Sequence, residues 1–567
     1  MFEKSGTFLL IRTFYLFLIV FQFSGCWSET RNEFGAAIST DTDTIEIGRR
    51  IFEQKCAHCH NFKQDAIGPN LGGLTKSVET DWIRRFIRNP FKMVAENDAR
   101  SIALHKEYKI YMPGFDDFSK NEVDALLSYM HTHTKKKLPD ESSIQNSIKN
   151  PIPDTLRFSN LTANLEFVAQ VPPSSEKPPL ARINKLECTG SSKRIFINDL
   201  RGVLYELQQD TLLPYLTISD HSRDFIHEPG LGTGLGSFAF HPGFEENGLI
   251  YTAHSEKKDS HKADFSLPDS IPTTLQWVIS EWKTKYPEEE HFVGAVRELL
   301  RIDFVSGMHG VQEIAFNPTS NKNDMDYGML YIGVGDGGSV VEGYPQVALH
   351  DGDMVWGTIL RIDPMGKNSK NGQYGIPSDN PFVKFTDKQE EIWAYGLRNP
   401  NRITWNVDGK MYASDIGHKI VEEVNKIEPG KFYGWPIREG TFMLDPFENQ
   451  SLALKLPEDD DDFGVTYPVI QYDHDDGAAI SGGFFSREPP FQGKYIFGDI
   501  PEGTVFISDF SKAHGNIEKL NLTHQGQKTN FATLTKKHRI DLRFGQDCDG
   551  KIYMMTKADG KIYRIVP

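Results

Sequence analysis

The sequence has few cysteines and little positive charge. Only five cysteines occur in 567 residues, and 62 lysines and arginines face 78 aspartates and glutamates, which gives a formal net charge of −16. Nucleic-acid binding depends on clustered Lys and Arg against phosphate, so this balance argues against it. The charged fraction of 25% and the aromatic fraction of 12% are typical of globular domains. A chain of this length is expected to form about two to four domains.

The N-terminal apolar run is short. Lys4 and Arg12 precede the apolar stretch 14–23, which is too short to span a membrane comfortably, and SGC follows at 24–26. This layout predicts a signal peptide over residues 1–26. A Cys directly after Ser-Gly resembles the lipobox of bacterial lipoproteins, which implies lipidation of Cys26. The alternatives are an ordinary signal peptide or an uncleaved anchor. The expected location is the periplasm or cell envelope, with membrane contact only through a lipid anchor.

A Cys-x-x-Cys-His motif stands near the N-terminus. Residues 55–71 read KCAHCHNFKQDAIGPNL, with Cys56, Cys59 and His60 in the pattern of covalent c-type haem attachment. The two thiols add to the haem vinyl groups, and the adjacent His is placed to ligate the iron. No second Cys or His pair follows at zinc-finger spacing, and the flanks favour helices over the βαβ setting of a redox dithiol.

The segment 45–136 resembles a class I cytochrome c, an all-α domain. GPNL at 68–71 matches the loop whose Pro carbonyl orients the ligating His. YMPGF at 111–115 matches the loop that supplies the second axial ligand. The resemblance implies haem c with His60 and Met112 as iron ligands, and electron transfer as the role of the domain.

Three other residues near the motif are alternative candidates for iron ligands. Met93 and Met130 are rival thioethers, but Met93 lacks the loop and Met130 falls on a helical face. His58, inside the motif, is interpreted as a solvent-facing spacer.

Short strand-like runs recur in pairs after a polar, proline-dotted linker at 137–164. Six pairs alternate along the chain, and each run begins at a turn residue. Stacking such units around an axis removes most open sheet edges. The pattern predicts an all-β six-bladed propeller over 165–567. The pairs are RIFIND with VLYEL, GLIYTA with LLRIDF, GMLYIGVGD with ILRIDP, GKMYASD with VNKIEP, KYIFGD with VFISDF, and GKIYMM with KIYRIV.

Three features fall outside this repeat. LQWVISEWKTKY at 275–286 is predicted to form an amphipathic helix within the largest insertion. The acidic run 459–462 is expected to be a solvated loop, with calcium binding as the alternative. Cys188 precedes the first pair and Cys548 the last, so a disulfide between them would close the ring; the alternative is two buried thiols.

Several stretches resemble the glucose/sorbosone dehydrogenase family, which includes the soluble quinoprotein glucose dehydrogenases and the aldose sugar dehydrogenases. The resemblance implies a propeller that binds pyrroloquinoline quinone (PQQ) and calcium and oxidises a sugar or related aldehyde. The matching stretches are GLGSFAFHPGF (234–244), MHGVQEIAFNP (308–318), YIGVGDGG (331–338), ILRIDP with IPSDNPF (359–382), YGLRNPNRITW (395–405), SDIGHKIVEEVNKI (414–427) and KFYGWP (431–436).

Five residues match functional positions of that family. His309 matches the general base, which takes a proton as hydride leaves the sugar, and Asp336 matches the acid that pairs with it. Arg398 and Asn399 match the pair at the quinone. Gly417 matches a backbone carbonyl that ligates calcium. The competing interpretations are a buried structural His with a turn Asp, and a simple Arg-Asn turn.

The chain also departs from the family pattern. His418 follows Gly417 where Pro is usual, and Gly232 stands near the place of a glutamine that touches the quinone. The late stretches 475–485 and 498–506 offer Asp and Glu where the family has basic residues. Such stretches are similar to those of hedgehog-interacting-type propellers, which bind protein and catalyse nothing.

The two parts together predict a sugar-oxidising quinoprotein that discharges electrons one at a time through its own haem to a respiratory acceptor. The alternative is a non-catalytic binding propeller that carries an electron-transfer cytochrome.

Overall fold

The computed structural model describes residues 38–57, 59–108, 112–135, 146–190, 192–510 and 516–566. The predicted signal peptide with Cys26 lies outside these ranges, as do His58 and Tyr111. Within them, no helix combines the length and the apolar character needed to cross a membrane.

Six helices lie between residues 42 and 131. Three have side-chain N-terminal caps: Asp41 Oδ2 accepts from Thr44 N and Asn89 Oδ1 from Lys92 N, both at 2.9 Å, and Ser119 and Glu122 form a reciprocal capping box. Apolar side chains of the first and last helices pack together around Phe52 and Leu126. The helices are α1 (Thr42–Lys55), α2 (Leu74–Ser77), α3 (Thr80–Arg88), α4 (Pro90–Ala95), α5 (Ala99–Tyr108) and α6 (Lys120–His131).

The chain beyond residue 146 is mostly β, and its first strands begin inside the predicted linker 137–164. Fourteen strands precede residue 400. They are β1 (Ser147–Ile148), β2 (Phe158–Gln170), β3 (Ile183–Cys188), β4 (Ile195–Asp199), β5 (Val203–Gln208), β6 (Thr211–Thr217), β7 (Leu235–Phe240), β8 (Leu249–Lys257), β9 (Leu275–Thr284), β10 (Gly294–Phe304), β11 (Glu313–Phe316), β12 (Leu330–Val334), β13 (Thr358–Ile362) and β14 (Ile392–Tyr395).

Fifteen further strands and three short helices complete the described chain. The strands are β15 (Pro400–Trp405), β16 (Met411–Asp415), β17 (Val421–Ile427), β18 (Arg438–Glu439), β19 (Phe442–Asp445), β20 (Asn449–Leu454), β21 (Ile470–Asp473), β22 (Ile480–Phe485), β23 (Tyr495–Asp499), β24 (Val505–Asp509), β25 (Asn516–His524), β26 (Gln527–Thr529), β27 (Leu542–Gln546), β28 (Ile552–Thr556) and β29 (Lys561–Val566). The helices are α7 (Phe244–Asn247), α8 (Ser339–Glu342) and α9 (Phe531–Thr535).

The strands form successive antiparallel sheets in a propeller-like arrangement. Four sheets have the orders β3-β4-β5-β6, β10-β9-β8-β7, β11-β12-β13-β14 and β15-β16-β17-β21. A nine-stranded sheet runs β22-β23-β24-β25-β2-β29-β28-β27, with β26 beside β25. The edge strands β3, β7, β11, β15, β22 and β27 contact one another in a closed cycle. Strands such as β12 are buried on both faces because neighbouring sheets cover them.

The two ends of the β region meet. β2 pairs antiparallel with β29, so a strand from the start of the β region completes the last sheet. Cys188 and Cys548 form a disulfide with their Cα atoms 5.7 Å apart. The predicted ring-closing disulfide is therefore confirmed, and the alternative of two free thiols is wrong.

The helix predicted over 275–286 is wrong, because this stretch forms the strand β9. It pairs along its whole length with β8 and β10. Trp277 and Trp282 are both 1% exposed and lie on opposite faces of the sheet, so the segment is apolar on two sides. Its polar positions are satisfied across the sheet, as where Glu281 binds Arg297 at 2.6 Å. Tertiary burial outweighs the helical spacing of its apolar residues.

A small four-stranded sheet, β1-β20-β19-β18, is hydrogen-bonded separately from the sheets of the ring and packs against β17 through Phe442 and Leu444. The acidic run 459–462 follows it, and Asp460 binds the guanidinium of Arg438 at 2.7 Å. One carboxylate of the run is therefore tied to the fold by an ion pair.

Candidate functional site

The helical region encloses an apolar cavity, which we call the helical cavity. Cys56, Cys59, His60 and Met112 all line it, and the space between the lining atoms is about 1340 Å³ with its open mouth included. Neither cysteine takes part in a disulfide, so both thiols are available for thioether bonds. Two thiols, an imidazole and a thioether around an apolar space fit a covalently attached haem.

His60 is oriented by its backbone neighbour. Its Nδ1 donates to the Pro69 carbonyl oxygen at 2.9 Å, which leaves Nε2 for a ligand in the cavity. Burial lowers the pKa of His60, so the neutral, ligating imidazole is favoured. A Cβ at Gly68 would stand 2.4 Å from His60 Cε1, and therefore only glycine allows the loop to pack on the ring.

The three methionines differ in their placement. Met112 and Met130 line the helical cavity, and Met93, 4% exposed on α4, is not among its lining residues. Met130 belongs to the buried face of α6 that packs against α1. Met112 stands outside any described helix, as the axial-ligand loop requires.

A second cavity opens at one end of the ring of sheets, and we call it the propeller pocket. It has about 1030 Å³ of space with its mouth included. His309, Arg398, Asn399 and Gly417 line it, so four of the five predicted propeller residues come together from three separate stretches of sequence.

Asp336, the fifth, lies behind His309. His309 Nδ1 donates to Asp336 Oδ1 at 2.6 Å, and the same carboxylate accepts from Trp435 Nε1 at 3.0 Å and Gly338 N at 2.8 Å. The Nδ1 bond fixes the tautomer, so Nε2 is the basic nitrogen left for the pocket. His309 also has a φ of 44°, a left-handed backbone that an L side chain adopts only when its surroundings hold it.

The pKa shifts of His309 and Asp336 favour a neutral imidazole beside an ionised carboxylate. Burial, and then Arg398, lower the pKa of His309, so the ring is neutral near pH 7. Burial acts to raise the pKa of Asp336, but His309 and Arg398 together outweigh it and the pKa is lowered. The arrangement can accept a proton from a hydroxyl in the pocket and stabilise the imidazolium that forms.

Arg398 and Asn399 are held by a buried carboxylate. Their backbone N–H groups donate to Asp415 at 2.8 and 2.5 Å. The guanidinium of Arg398 lies over the Trp435 ring at 5.4 Å, and its Nη1 donates to the Gly417 carbonyl at 2.6 Å. Its Nε is buried and has no partner among the described residues. Arg398 is thus a fixed cation whose Nε–H can donate to a ligand.

Gly417 does not stand out as a metal ligand. Its carbonyl accepts from Arg398, and the described ranges contain no group of three or more His, Cys, Asp or Glu side chains placed to hold a metal ion. Calcium at this carbonyl therefore stays a prediction.

Sequence reasoning missed most of the positive charge in the propeller pocket. The family resemblance leads us to expect basic residues at 475–485 and 498–506. In the structure, the basic residues of the pocket come from other parts of the chain. The basic residues that line the pocket besides Arg398 are Arg182, Arg539, Arg543 and Lys557. The run RIDLR at 539–543, with a basic residue on each side of an acid, was the available signal.

Lys557 is the cation of this wall that lacks a direct partner in the described ranges. It is 4% exposed, and its ammonium has no hydrogen-bond or ion-pair partner within the part of the chain that the structure describes. Burial, and then Arg543, hold the pKa of Lys557 far below its usual value. An anionic ligand would reverse this effect, so the wall of cations fits a polycarboxylate such as PQQ.

A glutamine from another part of the chain lies beside Gly232. A Cβ at Gly232 would meet Gln312 Nε2 at 2.0 Å, and both residues line the propeller pocket. Gln312 therefore fills the space beside Gly232, where a glutamine side chain was expected.

The helical cavity and the propeller pocket share a wall. Cys59 and Arg539 line both, and Asn61 and Ile67 of the haem-motif loop face the propeller pocket. The loop is tied down by contacts such as Lys63 Nζ to the Val341 carbonyl at 3.1 Å. The helical region consequently covers part of the pocket mouth.

Both regions match known families. The model described as Glucose / Sorbosone dehydrogenase matches residues 191–564, and the model described as Cytochrome C oxidase, cbb3-type, subunit III matches residues 43–130. The chain belongs to the glucose/sorbosone dehydrogenase family and carries an N-terminal cytochrome c domain fused to its propeller-like part.

Individual relatives are more distant. The HIPL2 protein of Arabidopsis thaliana is 29% identical over 396 residues, which cover 59% of this chain and 53% of the relative. The aldose sugar dehydrogenase YliI of Escherichia coli is 26% identical over 341 residues, covering 59% and 77%. A solved glucose dehydrogenase has a TM-score of 0.51 at 18% identity and covers 71% of this chain and 99% of its own, which shows a shared fold. The chain spans about half the length of the HIPL2 relative.

Proposed function

We propose that the protein is a quinoprotein oxidoreductase that oxidises an aldose sugar, or a related aldehyde or alcohol, and passes the electrons singly to its own c-type haem. One observation carries the proposal: a pocket with a His–Asp base and a wall on which cations outnumber anions abuts a cavity that holds the haem-attachment cysteines. When bound, PQQ supplies a two-electron acceptor and haem c a one-electron carrier.

The residues of the propeller pocket take three roles in this proposal. Three cations of the pocket bind the carboxylates and carbonyls of the quinone: Arg398, Arg543 and Lys557. Arg398 Nε is buried without a partner among the described residues, so it can donate to one of these oxygens. His309 Nε2 takes the proton of the substrate hydroxyl, and Asp336 holds the resulting imidazolium. A base of this kind is worth about 10²–10⁴ in rate.

The residues of the helical cavity complete the electron route. Cys56 and Cys59 bind the haem covalently, and His60 and Met112 ligate its iron. Calcium at the Gly417 carbonyl remains part of the proposal, and it would share that oxygen with Arg398 Nη1.

The finer architecture is proposed with the function. The closed cycle of six edge strands supports six blades, with the nine-stranded sheet contributing two of them. We keep the domain limits 45–136, 137–164 and 165–567, export directed by residues 1–26, and a respiratory one-electron acceptor as the partner.

Reconstitution tests the proposal. The purified protein is incubated with PQQ and Ca²⁺, freed of unbound quinone and assayed with D-glucose, other aldoses and a redox dye. Retained quinone and turnover are expected, and both should be lost when Lys557 and Arg543 are changed to Met. Failure of the wild-type protein to retain quinone would contradict the proposal.

A second function, a non-catalytic binding propeller, is favoured by the acidic stretches 475–485 and 498–506. His309→Ala separates the two functions. It abolishes turnover in a dehydrogenase, whereas a binding propeller has no turnover to lose and keeps its partner.

A further inference from the structure

Arg539 lies where the cavities of the two regions meet. It lines the helical cavity, the propeller pocket and an outer cleft between Phe91 of the helical region and His538 of the propeller part. The Phe91 and His538 rings stack at 3.9 Å, so the backbone that carries Arg539 is anchored against the cytochrome domain.

Arg539 contacts both regions at once. Its Nε donates to the two carboxylate oxygens of Asp541 at 2.9 and 3.1 Å. Cys59 lines the same two cavities as Arg539. Asp541 is buried, and it lines the propeller pocket but not the helical cavity. Of this ion pair, only the cation therefore reaches the helical cavity.

We propose that Arg539 is a positioning residue that raises the reduction potential of the haem and holds the Cys59 edge of the haem against the propeller pocket. The inference rests on the proposed function only in taking the helical cavity to hold a haem attached through Cys59. It does not depend on PQQ or on a sugar substrate.

The sign of the effect follows from charge. Each electron that arrives from the propeller pocket converts ferric iron to ferrous iron and lowers the charge at the iron by one. A nearby cation in a site of low dielectric favours the less positive ferrous state. Removal of the guanidinium also leaves Asp541 as an unpaired buried anion, which acts in the same direction.

Redox titration of the full-length haem protein tests this without turnover. In Arg539→Gln, the ratio of ferrous to ferric haem at a fixed ambient potential is expected to fall about tenfold, equal to ~59 mV for a one-electron couple. Asp541→Asn should raise the ratio, and the double variant should return close to wild type. Lys537→Gln is the matched control, because it removes one cation from the same loop but lines only the outer cleft.

Arg539→Lys keeps the charge but loses the guanidinium group whose Nε donates to both oxygens of Asp541. It should keep most of the haem potential, which separates the effect of charge from that of guanidinium geometry. If Arg539→Gln does not incorporate haem, the opposite shift expected for Asp541→Asn still decides the matter.

Two outcomes overturn the inference. One is a ferrous-to-ferric ratio within twofold of wild type in Arg539→Gln and Asp541→Asn; the other is an equal shift in Lys537→Gln. A third outcome is that the wild-type protein neither retains quinone nor oxidises sugar while the variants still show the expected shifts in the ferrous-to-ferric ratio. That result would contradict the proposed function and support this inference.

Discussion

The helical cavity and the propeller pocket differ in how their residues are spaced along the chain. All four predicted haem residues fall within 56–112, and they surround an apolar space. The propeller pocket draws its lining from residues as far apart as Arg182 and Lys557, and its lining includes five basic residues. A local motif can position a covalent cofactor, whereas a ring of sheets must assemble a soluble cofactor's site from all around the circle.

The difference also separates the forces expected to hold each cofactor. Two thioether bonds and an apolar wall hold haem irrespective of charge. The cations around Lys557 hold an anionic cofactor only while their positive charges are present. Loss of one cofactor should therefore leave the other bound, and the predictions below test that independence.

The largest effect is expected from the double variant Cys56→Ala, Cys59→Ala. Covalent haem should be lost completely, because no thioether can form. Haem staining of the denatured protein measures this loss. Quinone retention and dye-linked turnover should persist, and their disappearance would show that the propeller pocket depends on the haem cavity.

His309→Ala should lower kcat/KM of sugar oxidation by about 10²–10⁴, because the proton of the substrate hydroxyl loses its acceptor. The haem spectrum should not change. His524→Ala is the control, since His524 lies on β25 and bonds the Leu165 carbonyl instead of lining the pocket. Equal losses in both variants would contradict the assigned role.

The double variant Cys188→Ser, Cys548→Ser should destabilise the propeller part by ~2–4 kcal/mol, because a cross-link over a separation of 360 residues is removed from the unfolded chain. Denaturant unfolding followed by tryptophan fluorescence measures this loss. Haem absorbance at low denaturant should match wild type. A simultaneous loss of the haem signal would show that the two regions unfold as one unit.

Met112→Ala should lower the haem potential by at least about 59 mV, a tenfold change in the ferrous-to-ferric ratio, because an axial thioether raises that potential. Met93→Ala is the control, since Met93 is buried away from the cavity. A larger shift in Met93→Ala would reassign the ligand.

The smallest effect is expected in the pH profile. Burial and Arg398 lower the pKa of His309, and the neutral ring is the active form, so kcat/KM should fall only as pH drops below about 6.5. In Asp336→Asn the midpoint should move further to acid, because the carboxylate that raises the His309 pKa is gone. A midpoint shifted to alkaline pH would contradict the pairing.

Local patterns predicted much of this structure, and long-range burial accounts for the rest. The capped helices, the paired strands and the Pro69 bond to His60 follow from adjacent residues. The helix prediction for 275–286 was wrong because the apolar residues of this segment have helical spacing. Only its pairing with β8 and β10 makes it a strand. The cationic wall was missed because Arg543 and Lys557 reach the pocket only once the ring closes.

The central claim is that substrate electrons pass to the haem within one chain, across the wall that Cys59 and Arg539 share. Stopped-flow absorbance of the PQQ- and Ca²⁺-loaded protein, mixed without oxygen with an aldose, measures haem reduction directly. The account predicts complete reduction at a first-order rate that does not change with protein concentration. A rate that rises in proportion to protein concentration, or a haem that dithionite reduces but no sugar does, would contradict it.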